Sequence, residues 1–181
     1  TTGSVNVAGG TLAPTGTGSM MISGNLNFTT SGSVYLWSLL NNTTNTPGIN
    51  YTAPLVLTNG SLSVTSGLFY LNLAGAVNST SPLWTNGMTN SWQIMSGTNV
   101  SAGTNLAITL APGSVTNGFS ANMFFWSTNS GGIALNYYLP PSFTNNTGTN
   151  TIPSNNNNVT VNSGTLDVQG SGTTTINNLL V

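Results

Sequence analysis

The chain has 181 residues, of which 38% are hydrophobic, yet it contains one acidic residue and no lysine, arginine, histidine or cysteine. Folded domains normally have about a quarter of their residues charged, so this surface must consist largely of threonine, serine, asparagine and glycine. Acid–base catalysis, metal binding and phosphate binding need side chains that are missing here. The sequence therefore predicts no enzyme activity, no catalytic or metal-ligating residue, no cofactor and no nucleic-acid partner.

Short runs that alternate between apolar and polar residues are frequent and are typical of β-strands. They begin at Val5–Val7 and recur at Leu55–Leu57, Leu62–Val64 and 108–110. Residues 35–40 are compatible with one helical turn or with a strand. No apolar run approaches the ~20 residues of a membrane-spanning helix, so no membrane insertion is expected. The fold class that these patterns predict is all-β.

Asn-Gly pairs at 59–60, 86–87 and 117–118 favour antiparallel hairpins, because Asn-Gly between alternating runs is a strong hairpin signal. The stretch LVLT-NG-SLSV fits this pattern well. A second hairpin is predicted from 123–126 and 133–138. These signals indicate an antiparallel β-sandwich or jelly roll.

An internal repeat favours a different architecture. Residues 159–181 align without gaps to residues 5–27, and both copies contain the pattern V-x-V-x-x-G-T-L. Stacked repeats of this kind are typical of a parallel β-solenoid. The sequence thus predicts an all-β body over 1–143, an Asn/Thr-rich linker or long loop over 144–158, and a C-terminal strand segment over 159–181.

The string GGTLAPTGTGSMMISGNLNF and its second copy SGTLDVQGSGTTTINNLLV resemble the autotransporter-associated β-strand repeat family of secreted bacterial surface proteins. The stretch YTAPLVLTNGSLSVTSGLFYLNLAG looks like the later part of such proteins, so the resemblance covers about half of the chain. It implies a β-solenoid fold and a role as a surface-displayed stalk or adhesin.

An assembly mechanism accompanies the sandwich alternative. A terminal strand after a flexible linker can be exchanged with a neighbouring copy, where it adds to an exposed sheet edge. The alternative is that 159–181 folds back on its own body. The apolar residues of the predicted assembly strand are Val159, Val161, Leu166, Val168, Ile176, Leu179, Leu180 and Val181.

Other residues suggest sugar chemistry. Trp84, Trp92 and Trp126 are candidates for stacking on a glycan, although core packing or subunit contact is the favoured explanation. Among the N-x-[ST] sequons, Asn145 and Asn158 are the best candidates for glycosylation because they lie in or beside the polar linker. Asp167 is predicted to be a solvated turn residue, and a weak cation site is the alternative.

The leading hypothesis is a structural subunit of an extracellular or cell-surface filament, sheath or layer that binds copies of itself. Near-zero net charge removes the repulsion that keeps proteins apart. Two alternatives remain open at this point: a glycan-binding adhesin domain, and a viral coat or appendage protein.

Overall fold

A computed structural model describes residues 3–84, 89–114 and 118–138, together with the strand backbones at 142–145, 149–151, 158–161, 165–167 and 178–180. The described residues form strands and three short 3-10 helices, with no α-helix among them, so the all-β prediction is confirmed. No helix in this part of the chain has the length and apolar character needed to cross a membrane.

The chain divides into two compact units. Unit 1 comprises 1–83 and 90–137, and unit 2 comprises 84–89 and 138–181. The first nine strands are β1 (Val5–Val7), β2 (Thr11–Leu12), β3 (Met21–Ile22), β4 (Leu26–Phe28), β5 (Val34–Leu39), β6 (Leu55–Leu57), β7 (Leu62–Val64), β8 (Leu68–Leu73) and β9 (Thr89–Ser96). The 3-10 helix η1 (Pro82–Trp84) precedes β9. After β9 come the 3-10 helix η2 (Ser101–Asn105), β10 (Ala107–Leu110), the 3-10 helix η3 (Ala121–Met123), β11 (Phe124–Asn129) and β12 (Gly132–Tyr138).

These strands form three sheets that the chain visits in a fixed order. Sheet 1 is β1-β4-β7, sheet 2 is β2-β5-β8-β10, and sheet 3 is β3-β6-β9-β12-β11. Each passage through sheets 1, 2 and 3 is called a rung here, so rung 1 is β1–β3, rung 2 is β4–β6 and rung 3 is β7–β9. Pairing between successive rungs is parallel and residue by residue, as in Val5↔Leu26 and Leu26↔Leu62.

The interior contains stacked apolar side chains because the register keeps equivalent positions on one face. In β5 the alternate residues Tyr35, Trp37 and Leu39 are buried, and they pair with Phe69, Leu71 and Leu73 of β8. A slip of one residue would turn every one of these side chains to the other face. The strand alternative for residues 35–40 is therefore the one observed.

Buried aromatic rings form a connected cluster in unit 1. The ring centroids of Tyr35 and Phe69 are 5.8 Å apart, and those of Trp37 and Trp92 are 6.3 Å apart. Both tryptophans donate their indole N–H to backbone carbonyls, Trp37 to Thr52 at 2.9 Å and Trp92 to a second loop at 3.0 Å. The buried hydroxyl of Tyr35 has no hydrogen-bond partner in the described part of the chain, and burial raises its pKa above the ordinary tyrosine value.

A glycine lies two residues before each strand of sheet 1. The triplets Gly3-Ser4-Val5, Gly24-Asn25-Leu26 and Gly60-Ser61-Leu62 occupy equivalent positions in rungs 1 to 3. A Cβ on Gly24 would lie 2.6 Å from the carbonyl carbon of Gly3, and a Cβ on Gly60 would collide with the carbonyl of Gly24. Glycine is needed at this corner because successive rungs approach each other backbone to backbone.

The two hairpin predictions have different outcomes. The hairpin predicted from 123–126 and 133–138 is confirmed, because β11 and β12 pair antiparallel from Phe124↔Tyr137 to Asn129↔Gly132. The hairpin at Asn59-Gly60 is wrong: β6 pairs in sheet 3 and β7 in sheet 1. The glycine there serves the close approach to rung 2 rather than a two-residue turn. The Asn86-Gly87 pair and Asn117 lie outside the described residues.

Unit 2 contains short parallel strands in two further sheets. Its strands are β13 (Ser142–Asn145), β14 (Thr149–Thr151), β15 (Asn158–Val161), β16 (Thr165–Asp167) and β17 (Asn178–Leu180). Sheet 4 is β13-β15-β17 and sheet 5 is β14-β16. The stretch 144–158, predicted as a linker or loop, thus includes strand residues at 144–145, 149–151 and 158. The domain boundaries at 143/144 and 158/159 stay predictions.

Candidate assembly surface

Rung 1 has a backbone edge that none of the described strands covers, and this edge is called the uncovered edge. Strands β1 and β2 stand at the ends of sheets 1 and 2, and no strand in the described part of the chain pairs with their outer sides. Val5 donates its N–H to Asn25 at 2.7 Å, and the carbonyl of Val7 accepts from Thr29 at 3.1 Å. Successive residues of a parallel strand bond to opposite sides, so the N–H and carbonyl of Asn6 point away from rung 2.

A groove runs along this edge. It has a volume of about 390 Å³ and is lined by residues 5–8 and 10–12, which belong to β1, β2 and the turn between them. Val7 is buried beneath it, whereas Val5 and Leu12 are half-buried. The uncovered edge therefore combines apolar side chains with unpaired main-chain groups.

Polar side chains connect the rungs beside the glycine corner. The Oδ1 atom of Asn25 accepts from the N–H of Ser61 at 3.0 Å and from its hydroxyl at 3.2 Å. One rung lower, the N–H of Asn25 donates to the hydroxyl oxygen of Ser4 at 3.2 Å. In the described part of the chain this ladder ends at Ser4, at the same edge of the stack.

The opposite end of unit 1 is covered by its own chain. The N–H of Leu62 in β7 donates to the carbonyl of Asn99 at 2.9 Å, and η2 follows directly. Gly103 of η2 lies so close to β7 that an added Cβ would be 3.0 Å from Leu62. The same Cβ would collide with Ile133 of the β11–β12 hairpin. The last strand of sheet 1 is thus shielded from a further parallel strand.

An aromatic side chain anchors the covering hairpin. The ring of Trp126 in β11 meets Phe69 edge to face, with centroids 4.8 Å apart and planes at 78°. Its indole N–H donates to the carbonyl of Leu106 at 2.9 Å. The neighbouring Phe125 is 45% exposed. Trp126 therefore ties the hairpin to sheet 2, whereas Phe125 does not.

Hydrogen bonds between uncharged side chains replace ion pairs on the outer faces. The Nδ2 group of Asn27 donates to Oδ1 of Asn6 at 2.6 Å, and that of Asn72 donates to the hydroxyl of Ser38 at 3.0 Å. Both pairs join residues in register on adjacent strands. Such ladders depend little on pH or salt because neither partner is charged.

The predicted assembly strand is divided among several strands of unit 2. Val159 and Val161 lie in β15, which pairs with β13 on one side and β17 on the other. Leu166 lies in β16, and Leu179 and Leu180 lie in β17 at the end of sheet 4. Within the described strands of the predicted segment, β16 and β17 therefore lie at sheet edges, whereas β15 does not. Val168, Ile176 and Val181 lie outside the described residues.

The register of unit 2 refines the internal repeat. The ungapped alignment matches Leu26 with Leu180. In the structure Leu179 pairs with Val159 as Leu26 pairs with Val5, so Leu179 is the structural equivalent of Leu26. The preceding Asn178 is then the equivalent of Asn25.

Two of the three candidate glycan-stacking tryptophans are buried. Trp92 is completely buried and Trp84 is 3% exposed, while Trp126 is half-buried against Phe69. A ring with no exposed face cannot stack on a sugar from solvent. The burial of Trp84 and Trp92 favours core packing for these two, and the stacking role of Trp126 stays a prediction.

The remaining polar candidates lie in unit 2. Asn145 is the last residue of β13 and Asn158 the first of β15, so the predicted glycosylation sites lie at strand ends rather than inside a loop. Asp167 ends β16, which corrects its assignment to a turn. Sequence reasoning missed the residues that define the uncovered edge, although the G-[SN]-[VL] triplets could have located them.

Comparison of the chain with family models, with curated proteins and with solved structures gave no match. The resemblance to autotransporter-associated β-strand repeats therefore stays a prediction.

Proposed function

We propose that this chain is a structural subunit of an extracellular filament, sheath or surface layer, and that its parallel rungs form a β-solenoid. In this proposal the chain is not an enzyme and its partners are other copies of itself. Assembly proceeds through strand edges and apolar contacts, without charge.

The observation that carries the proposal is the edge of β1 and β2, which no described strand covers, on a chain with a single charged side chain. Unpaired strand edges promote pairing with other chains, and monomeric proteins block them with lysine, proline or a covering element. The groove at 5–8 and 10–12 has none of these within the described residues. An edge of this kind suits a protein that pairs with its own copies.

The ordered parallel register supports the solenoid part of the proposal. Three successive rungs keep Val5, Leu26 and Leu62 in line, and the chain passes through sheets 1, 2 and 3 each time. Stacked units that contact only their neighbours can be extended by adding further units at an end. The extracellular location rests on the family resemblance and on the scarcity of charge.

Electron microscopy of the purified full chain in negative stain tests the proposal. Regular filaments or sheets are expected at neutral pH, and they should survive both high salt and acid pH because no ion pair holds them. Dispersed monomers under all three conditions would contradict the proposal. Assemblies that dissolve at high salt would contradict the charge-free mechanism alone.

A further inference from the structure

We propose that the uncovered edge of rung 1 binds strand β17 of a second copy, so that the chains join head to tail. This inference rests on the proposed self-assembly and names the two surfaces that meet. The sheet formed across the junction would run β13-β15-β17 in one copy and continue as β1-β4-β7 in the next.

The first argument concerns Gly3, which is the rung 1 member of the column formed by Gly3, Gly24 and Gly60. Gly24 and Gly60 need to be glycine because the backbone of the rung below lies where their Cβ atoms would be. Gly3 occupies the equivalent position in rung 1, but an added Cβ there would meet nothing within 4 Å in the described part of the chain. The described part of its own chain therefore gives no steric reason for glycine, whereas a strand arriving from below would require it.

The second argument is the unused bonding capacity beside Gly3. The N–H of Asn25 bonds to Ser4 and the N–H of Ser61 bonds to Asn25, so each rung donates to a side-chain oxygen of the rung below. Continuing this pattern, Ser4 would donate to a side-chain oxygen of an arriving strand. The main-chain groups of Asn6 point the same way, toward the groove.

The third argument identifies the arriving strand. Between rungs 2 and 3, Asn25-Leu26 lies below Ser61-Leu62, and the asparagine side chain accepts from the serine. Strand β17 begins Asn178-Leu179, and the register in unit 2 makes these residues equivalent to Asn25-Leu26. Rung 1 begins Ser4-Val5, which matches Ser61-Leu62.

Placing Leu179 beneath Val5 therefore sets Asn178 beside Ser4, in the same arrangement as Asn25 beside Ser61. Strand β17 stands at the end of sheet 4, so one of its sides has no strand in the described part of the chain. The junction needs no charge on either side. It repeats a pairing that the chain already makes within unit 1.

Disulfide trapping tests the junction directly, because the chain contains no cysteine of its own. In-register residues of adjacent strands are about 5 Å apart, within the range that a disulfide spans. The double variant Ser4→Cys/Asn178→Cys, oxidised after assembly, should give a ladder of covalent multimers on a non-reducing gel. The matched control Gly75→Cys/Asn178→Cys moves one cysteine to an open site outside the groove and should give no ladder.

Each other pattern on that gel overturns the inference. A crosslinked monomer would mean that β17 reaches the edge of its own chain. Dimers from Ser4→Cys alone would mean that two rung 1 edges pair with each other. An assembling double variant without any crosslink would mean that another surface joins the copies. If the unmodified chain does not assemble at all, the proposed function fails together with this inference.

A second variant separates the junction from folding. Gly3→Val adds a side chain where nothing in the described part of the chain lies within 4 Å of the Cβ, so it should leave the melting temperature of the monomer unchanged. It blocks the accepting edge but leaves β17 intact, and a substoichiometric amount should therefore shorten wild-type filaments several-fold by capping one end. Gly75→Val is the control and should leave filament length unchanged. Equal filament length with both variants would overturn the head-to-tail junction.

Discussion

At one end of unit 1, η2 and the β11–β12 hairpin shield the last strand of sheet 1, whereas at the other end β1 and β2 have no strand on their outer sides in the described part of the chain. The strand backbones at the two ends have the same capacity to bond to a further strand. The difference lies in the added segments, since a tight glycine contact at Gly103 and the ring of Trp126 hold the cover in place. An end that is not covered in this way is available to another chain.

The largest expected effect concerns the covered end. Trp126→Ala should lower the free energy of unfolding by about 3 kcal/mol, because it removes the edge-to-face contact with Phe69 and the bond to Leu106. Urea unfolding measures this loss. The adjacent Phe125→Ala is the control and should change stability by less than about 0.5 kcal/mol. Equal effects of the two variants would mean that the hairpin is not anchored as described.

Substitution of equivalent glycines in sheet 1 compares an inner rung with the uncovered edge of rung 1. Gly60→Ala should cost about 2–3 kcal/mol, because the new methyl group collides with the carbonyl of Gly24. Gly3→Ala changes the equivalent position of rung 1, where no described residue lies within 4 Å of the added methyl group, and should change stability by less than about 0.5 kcal/mol. Thermal unfolding of the dispersed chain is the measurement. A large loss for Gly3→Ala would show that its own chain covers this end.

A smaller effect is expected in the core between the two ends. Tyr35→Phe should raise the free energy of unfolding by about 1 kcal/mol, because it removes a buried hydroxyl that lacks a partner in the described part of the chain. Tyr51→Phe is the matched control: its hydroxyl donates to the carbonyl of Thr44 at 3.2 Å, so stability should fall slightly. Urea unfolding of both variants decides the sign. Destabilisation by Tyr35→Phe would contradict this description of the site.

The smallest expected effect is that of pH. Burial raises the pKa of Tyr35, Tyr51 and Tyr137 above the ordinary tyrosine value, so the protonated form is favoured in the folded state. Their contribution is fully present below the unfolded pKa of about 10 and is lost as the pH rises above it. Between about pH 5 and 9 the free energy of unfolding should change by less than about 0.5 kcal/mol, and it should fall above pH 10. Urea unfolding at stepped pH measures this, and a slope near neutral pH would contradict it.

Much of the local structure could be predicted from alternation alone. The strands at Val5–Val7, Leu55–Leu57 and Leu62–Val64 lie where the apolar residues alternate, and the hairpin after Met123 forms as predicted. The Asn-Gly pair at 59–60 misled, because a glycine forced by a neighbouring backbone looks the same in sequence as one that forms a tight turn.

The candidate surface was predicted only in kind. Scarcity of charge indicates edge pairing, but the predicted strand 159–181 includes β15, whose two sides are already paired. Which edges remain uncovered depends on contacts between residues far apart in sequence, such as Leu62 with Asn99 and Phe69 with Trp126. Alternation patterns contain no information about such contacts.

The sequence by itself determined the all-β class, the scarcity of charge and the short strand periods, because composition and local alternation decide how each segment can bond and bury its side chains. Only the tertiary structure decided that successive rungs pair in parallel, that the glycines of sheet 1 form one column, and that no described strand covers the outer edge of β1 and β2. These features arise from register between distant segments, which is fixed by the fit of stacked side chains across rungs and not by the propensity of any one strand.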